Sequence, residues 1–200
     1  MKNRETLIQI LLILRSNGII NKKILLAVEK LPPHYYLNLL GLYKNFKQIN
    51  VNELIRLLKI LQNVLDHKPK LDNVFITDIK KGWLVVLASF LGKRIYGLCP
   101  NREIKEKIES ILSFLKISNV FLKVSTINSN WNLVAPFDLI IDFKRCEILP
   151  LKFLELLTNE GLLFFTKVIK KKVIIVKCNK RKNSEVFNKS EFFLEDNIIL

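Results

Sequence analysis

Cysteine, histidine and glycine are scarce in this chain, and each shortage removes a class of chemistry. The three cysteines, Cys99, Cys146 and Cys178, are widely spaced, odd in number and never arranged as C-x-x-C. They therefore offer neither a disulfide framework nor a zinc site. The two histidines, His34 and His67, have no partner at metal-ligand spacing, so no metal is expected. No apolar run reaches the ~18 residues that a membrane span needs; residues 7–14 and 83–91 are short enough to be core elements. Met1-Lys2-Asn3-Arg4-Glu5 leads into an amphipathic helix without a small-residue cleavage site, and a cytoplasmic location is expected.

Acidic residues are few as well: 18 Asp and Glu stand against 33 Lys and Arg, a formal charge of +15. Such an excess can serve phosphate binding. Here Lys, Asn, Ile and Leu load the whole chain, so the charge reads as a general compositional bias. The densest runs, 167–172 and 177–182, lack the interleaved aromatics that base stacking uses. They read as a solvated loop and strand edge, where lysine discourages edge pairing. What the chain does have is 200 residues, half of them hydrophobic, enough for one domain with a full core.

Residues 1–68 read as a helical region. Apolar residues recur at helical spacing over Thr6–Leu14 and Asn21–Leu31, separated by the C-cap signal Asn17-Gly18. Pro32-Pro33 ends the second helix, Leu37–Asn50 is a connector, and a third helix is expected from an N-cap at Asn52 to about Leu65. From residue 69 to 200 the pattern becomes an α/β core. Strands are expected at Val74–Thr77, Arg94–Leu98, Val120–Val124, Phe137–Phe143 and Gly161–Thr166, with a turn at Thr158–Gly161. Helices are expected at Trp83–Leu91, Arg102–Leu115 and Leu149–Leu157. This alternation implies a mostly parallel sheet. Lys172–Asn179 and Phe192–Leu200 then read as an antiparallel pair at its edge.

The order of a parallel sheet closed by an antiparallel hairpin, with an N-terminal helical extension, resembles the Rossmann-like fold of class I S-adenosylmethionine-dependent methyltransferases. Three stretches narrow the resemblance to protein-L-isoaspartate (D-aspartate) O-methyltransferases. "NGIINKKILLAVEKLPPHYYL", from Asn17, resembles their N-terminal helical segment. "APFDLIIDF", from Ala135, resembles their fourth strand, and "LPLKFLELLTNEGLLFF", from Leu149, the helix, turn and fifth strand that follow. The closing "KSEFFLEDNIIL" is similar to their last strand.

The resemblance implies methyl transfer from S-adenosylmethionine to isoaspartyl carboxylates of damaged protein or peptide. It also assigns positions. The glycine loop E-x-G-x-G-x-G-[YW] falls on Ile76–Trp83, where Gly82 and Trp83 match while Asp78 and Lys80 replace the two earlier glycines. A Cβ at those places crowds a ligand and makes positive φ costly. The acidic residue that holds the ribose hydroxyls corresponds to Cys99, and the acidic residue near the adenine to Ser125 or Thr126. The active-site serine corresponds to Asn50.

Each position also has a plainer reading. Gly82 suits any tight turn, Trp83 the core, Asp78 a solvated loop, His34 a Pro-containing turn and Cys99 a buried strand end. Asp142, at the carboxyl end of its strand, is a pocket candidate, and Asp138 stands at the start of the same strand. The expected function is thus that of an isoaspartyl methyltransferase, a monomer, with eroded cofactor and substrate motifs and weakened or lost activity. The alternative is a non-catalytic binding protein on the same fold. One form of it is a basic nucleic-acid-binding domain, favoured if Lys80, Lys81, Lys93, Arg94 and Arg102 cluster.

Overall fold

The structure, a computed structural model, describes residues 2–42, 49–77, 79, 82–124, 132–169, 172–180 and 187–192. Four helices come first: α1 (Lys2–Ser16), α2 (Lys22–Lys30), α3 (Pro33–Leu39) and α4 (Val51–His67). Gly18, with φ 82°, ends α1, and the Asn21 side chain caps α2 by accepting from the N–H groups of Lys23 and Ile24. Gln62 of α4 fixes the turn between them: its Oε1 accepts from the N–H of Ile20 at 2.8 Å, and its Nε2 donates to the Gly18 carbonyl at 2.9 Å.

Two expectations here are corrected. Part of the 37–50 connector is helical, because Pro33 occupies the first turn of α3, where a missing N–H costs nothing. The cap of α4 is Asn50 rather than Asn52: its Oδ1 accepts from the Glu53 N–H at 3.0 Å.

The α/β region continues with β1 (Leu71–Thr77), α5 (Trp83–Ala88), β2 (Gly92–Cys99), α6 (Arg102–Phe114), β3 (Val120–Val124), β4 (Phe137–Cys146), α7 (Leu151–Glu155), β5 (Leu157–Ile169), β6 (Lys172–Lys180) and β7 (Phe187–Phe192). They form one sheet in the order β3-β2-β1-β4-β5-β6-β7. The first five strands are parallel and the last two antiparallel. Alternation along each strand feeds two cores. Val74, Ile76, Leu139 and Ile141 meet the layer of α1, α2, α4, α5 and α6 on one face. Phe75, Ile140, Leu163 and Phe165 meet α7 on the other. There Phe75 stacks on Phe137 at 5.2 Å and meets Phe153 edge-on.

The final helix is shorter than expected, and β5 begins before the expected turn at 158–161. Phe137 pairs with Leu157 and Leu139 with Leu162, so residues 158–161 bulge inside the strand. Glu160 takes φ 63° there, and a Cβ on Gly161 would come within 2.9 Å of the Phe137 carbonyl. The last strand lies earlier than expected, at Phe187–Phe192, and 193–200 fall outside the described residues.

The helical region is tied to the sheet by Asp138. Its carboxylate pairs with Lys68, just past α4, and accepts from the N–H groups of Asp72 at 2.6 Å and Asn73 at 3.2 Å. Burial pushes this carboxyl up, but the Lys68 hydrogen bond and the two backbone donors outweigh it and hold the group below the usual range.

Candidate functional site

Chain direction reverses across the sheet between β1 and β4: from β1 the chain goes out to β2 and β3, and from β4 out to β5. Open α/β sheets bind ligands at such a switch point, beyond the carboxyl ends of the strands. The edge is formed here by Thr77, Cys99 and Asp142 with the turn that reaches Gly82.

Thr77, the last residue of β1, faces Asp142 in register at the point where β4 stops pairing with β1. The Thr77 hydroxyl donates to Asp142 Oδ1, which also accepts from the Lys144 N–H at 3.1 Å. The Asp142 carbonyl in turn accepts from the Thr166 hydroxyl of β5 at 3.4 Å. Asp142 is 5 % exposed. Asp142 therefore ties the end of β1 to β4 and β5.

Gly82 has φ 77° and starts α5. A Cβ there would lie 2.5 Å from the Tyr36 hydroxyl and 2.6 Å from two carbons of Ile108. The space that glycine keeps open is thus filled by the chain's own side chains. Ile79 closes the turn from the other side, its N–H bonded to the Leu98 carbonyl at 3.1 Å. Its side chain lies where a Cβ on Gly97 would sit. Trp83 is half-buried and donates from Nε1 to the Leu31 carbonyl at 3.1 Å, fastening α5 to the end of α2.

Cys99 is fully buried at the end of β2. Its thiol is pushed up to about 11 by burial, then by Glu109, against an opposing effect of Lys105. It is neutral at physiological pH. The fully buried Tyr36 hydroxyl is raised too, by burial and by Cys99 beside it. A ribose needs a pair of hydroxyls met by a carboxylate; a buried thiol provides one weak acceptor. At this strand end the described residues therefore offer the ribose of an adenosyl cofactor a weaker acceptor than a carboxylate would.

The remaining expected residues divide. Asn50 is exposed and spends its side-chain oxygen on the α4 cap. Asp78, Lys80, Lys81, Ser125 and Thr126 lie outside the described residues. The proposed basic cluster is split, a correction with a simple cause. Lys93 and Arg94 start β2 at the amino edge, whereas Arg102 starts α6 beyond its carboxyl end and pairs with Glu106. Thr77, Tyr36 and Ile79 were not foreseen. Thr77 had a signal, since it is the polar end of an apolar strand; Tyr36 and Ile79 reach the site only through tertiary packing.

Among the described residues no group of His, Cys, Asp and Glu could hold a metal, and no helix is long and apolar enough to cross a membrane. Strand order, the antiparallel β5–β6–β7 edge and the β1–α5 turn together define the class I methyltransferase fold.

No protein-family model matches the chain. A protein-L-isoaspartate O-methyltransferase of Dictyoglomus turgidum is 27% identical over 169 residues, covering 80% of this chain and 74% of that protein. The crystal structure of a protein-L-isoaspartate O-methyltransferase from Plasmodium falciparum, in complex with S-adenosyl-L-homocysteine, superposes with a TM-score of 0.71 at 18% identity. It covers 92% of this chain and 93% of that one. A second solved protein-L-isoaspartate O-methyltransferase gives 0.72 at 16% identity, covering 94% of this chain and 64% of its own. In sequence and in fold the chain is homologous to protein-L-isoaspartate O-methyltransferases.

Proposed function

We propose that this chain is an S-adenosylmethionine-dependent methyltransferase of the isoaspartyl type, acting as a monomer on damaged protein with a weakened hold on its cofactor. The observation that carries the reading is homology along most of the chain, with the switch point between β1 and β4 kept in register. When bound, the cofactor would supply a methyl group to a carboxylate oxygen. An isoaspartyl carboxylate is ionised at neutral pH and needs no general base. The protein's part is then to hold two ligands in line and exclude water.

In this chain the Thr77–Asp142 pair fixes the floor of that edge, and Tyr36 and Ile79 keep its interior dry. Cys99 is the weak point. Replacing a charge-assisted acceptor by a neutral thiol gives up about 1.5 to 3 kcal/mol, roughly 10- to 150-fold in affinity. The test is incorporation of labelled methyl groups into an isoaspartyl peptide against its aspartyl twin. Isoaspartyl-dependent incorporation at high cofactor concentration is expected, and equal labelling of both peptides, or none, would overturn the reading.

A further inference from the structure

β4 pairs with β1 only as far as Asp142, then runs on through Phe143–Cys146 beside β5, which itself continues to Ile169 and turns into β6. From Asp142 to Cys146 four β4 residues bulge against two of β5, Phe165 to Lys167, so at ~3.3 Å per matched residue the corner reaches about 7 Å past the end of β1. It is therefore a lip standing over one side of the switch point.

Its chemistry is distinctive. Lys144 and Arg145 are exposed, and neither forms an ion pair among the described residues. Lys167 is paired in register with Cys146 beside them, close enough to oppose the rise that burial and Asp142 impose on that thiol. Just beyond, Ile148 is 79% and Leu151 62% exposed. Glu147 is the one acid between these residues. The lip thus joins three cations to two bare aliphatic side chains at the mouth of the candidate site.

We propose that this lip is the docking surface for the methyl acceptor, and that it selects an extended peptide segment carrying several carboxylates and an aliphatic side chain. The proposal rests on the reading of the switch point as the reacting centre. Charge complementarity identifies the acid-rich part of the partner, and Ile148 and Leu151 identify the apolar part. Nucleic acid fits less well. Its bases want aromatic platforms, and the exposed aromatics Phe90, Phe114 and Phe121 lie beside α5, on α6 and on β3 respectively, outside the lip.

The experiment is fluorescence anisotropy with a labelled peptide containing several Asp and Glu residues and one Leu, without cofactor, at 50 and 200 mM salt. A neutral peptide and a single-stranded oligonucleotide serve as comparisons. Salt-sensitive binding of the acidic peptide is expected, weakened at least tenfold by K144E/R145E at an unchanged melting temperature. Unchanged binding by K144E/R145E, equal binding of the neutral peptide, or tighter lip-dependent binding of the oligonucleotide would overturn it. Because the assay contains no cofactor, a lip that binds in a protein unable to methylate would separate this inference from the proposed activity.

Discussion

The Thr77 hydroxyl donates to the Asp142 carboxylate across the switch point, joining the end of β1 to β4 where both residues are nearly fully buried. A buried carboxylate deprived of a donor keeps its desolvation cost. Thr77→Val is expected to destabilise the fold by about 1 to 3 kcal/mol, and Thr77→Ser to restore most of that. Urea unfolding of the three proteins is the check. Equal midpoints would show that the pair carries no weight.

Gly82 is required by packing and by its backbone. Gly82→Ala puts a Cβ against Tyr36 and Ile108 at positive φ, with an expected cost of about 2 to 4 kcal/mol from strain and overpacking together. Removing the Tyr36 hydroxyl relieves one of the two contacts. The Gly82→Ala/Tyr36→Phe protein should therefore be more stable than the sum of the single changes requires. Strict additivity would place Tyr36 elsewhere.

Cys99 limits cofactor affinity. Cys99→Asp should tighten S-adenosylhomocysteine binding by about tenfold or more, as a charge-assisted hydrogen bond would. The ligand-free protein should melt lower, because a carboxylate replaces a buried thiol. Cys99→Ser supplies no charge and should leave the affinity near that of the parent. Paired titrations and melting curves read both effects, and an unchanged Asp variant would show that the ribose end is not at this strand.

Asp138 makes stability depend on pH. Its carboxyl is held below its unfolded value by Lys68 and the donors of Asp72 and Asn73, against burial. The unfolded chain therefore takes up the proton first as pH falls. The contribution is complete above the unfolded value of about 4 and is lost as pH drops through the lower folded value. Unfolding midpoints measured from pH 6 to 3 should fall below about pH 4, and Asp138→Asn should flatten that fall. A slope unaffected by the substitution would assign it to other carboxylates.

Much of this fold was legible from period and punctuation. Strand-helix alternation after residue 69, the Asn17-Gly18 cap and Asp138 at the start of the fourth strand stand where the pattern put them, while β4 runs past Asp142 to Cys146. The misses share a cause. Pro33 both stops one helix and starts the next, and only packing shows which. The 158–161 segment has turn chemistry, yet it is carried as a bulge because β4 holds its neighbours in register. At the site, substitution at Cys99 was visible in sequence. That the surrounding space is filled by Tyr36, Ile79 and Ile108, from three separate segments, is a tertiary fact with no local signal.

The central claim is a class I methyltransferase edge that still binds its cofactor, but weakly. Calorimetric titration of the purified chain with S-adenosylhomocysteine tests it most directly. The account predicts a dissociation constant on the order of ~100 μM, about −5.5 kcal/mol, with a matching rise in melting temperature. No heat and no thermal shift at millimolar ligand would contradict it, and would mean that the fold persists without its cofactor.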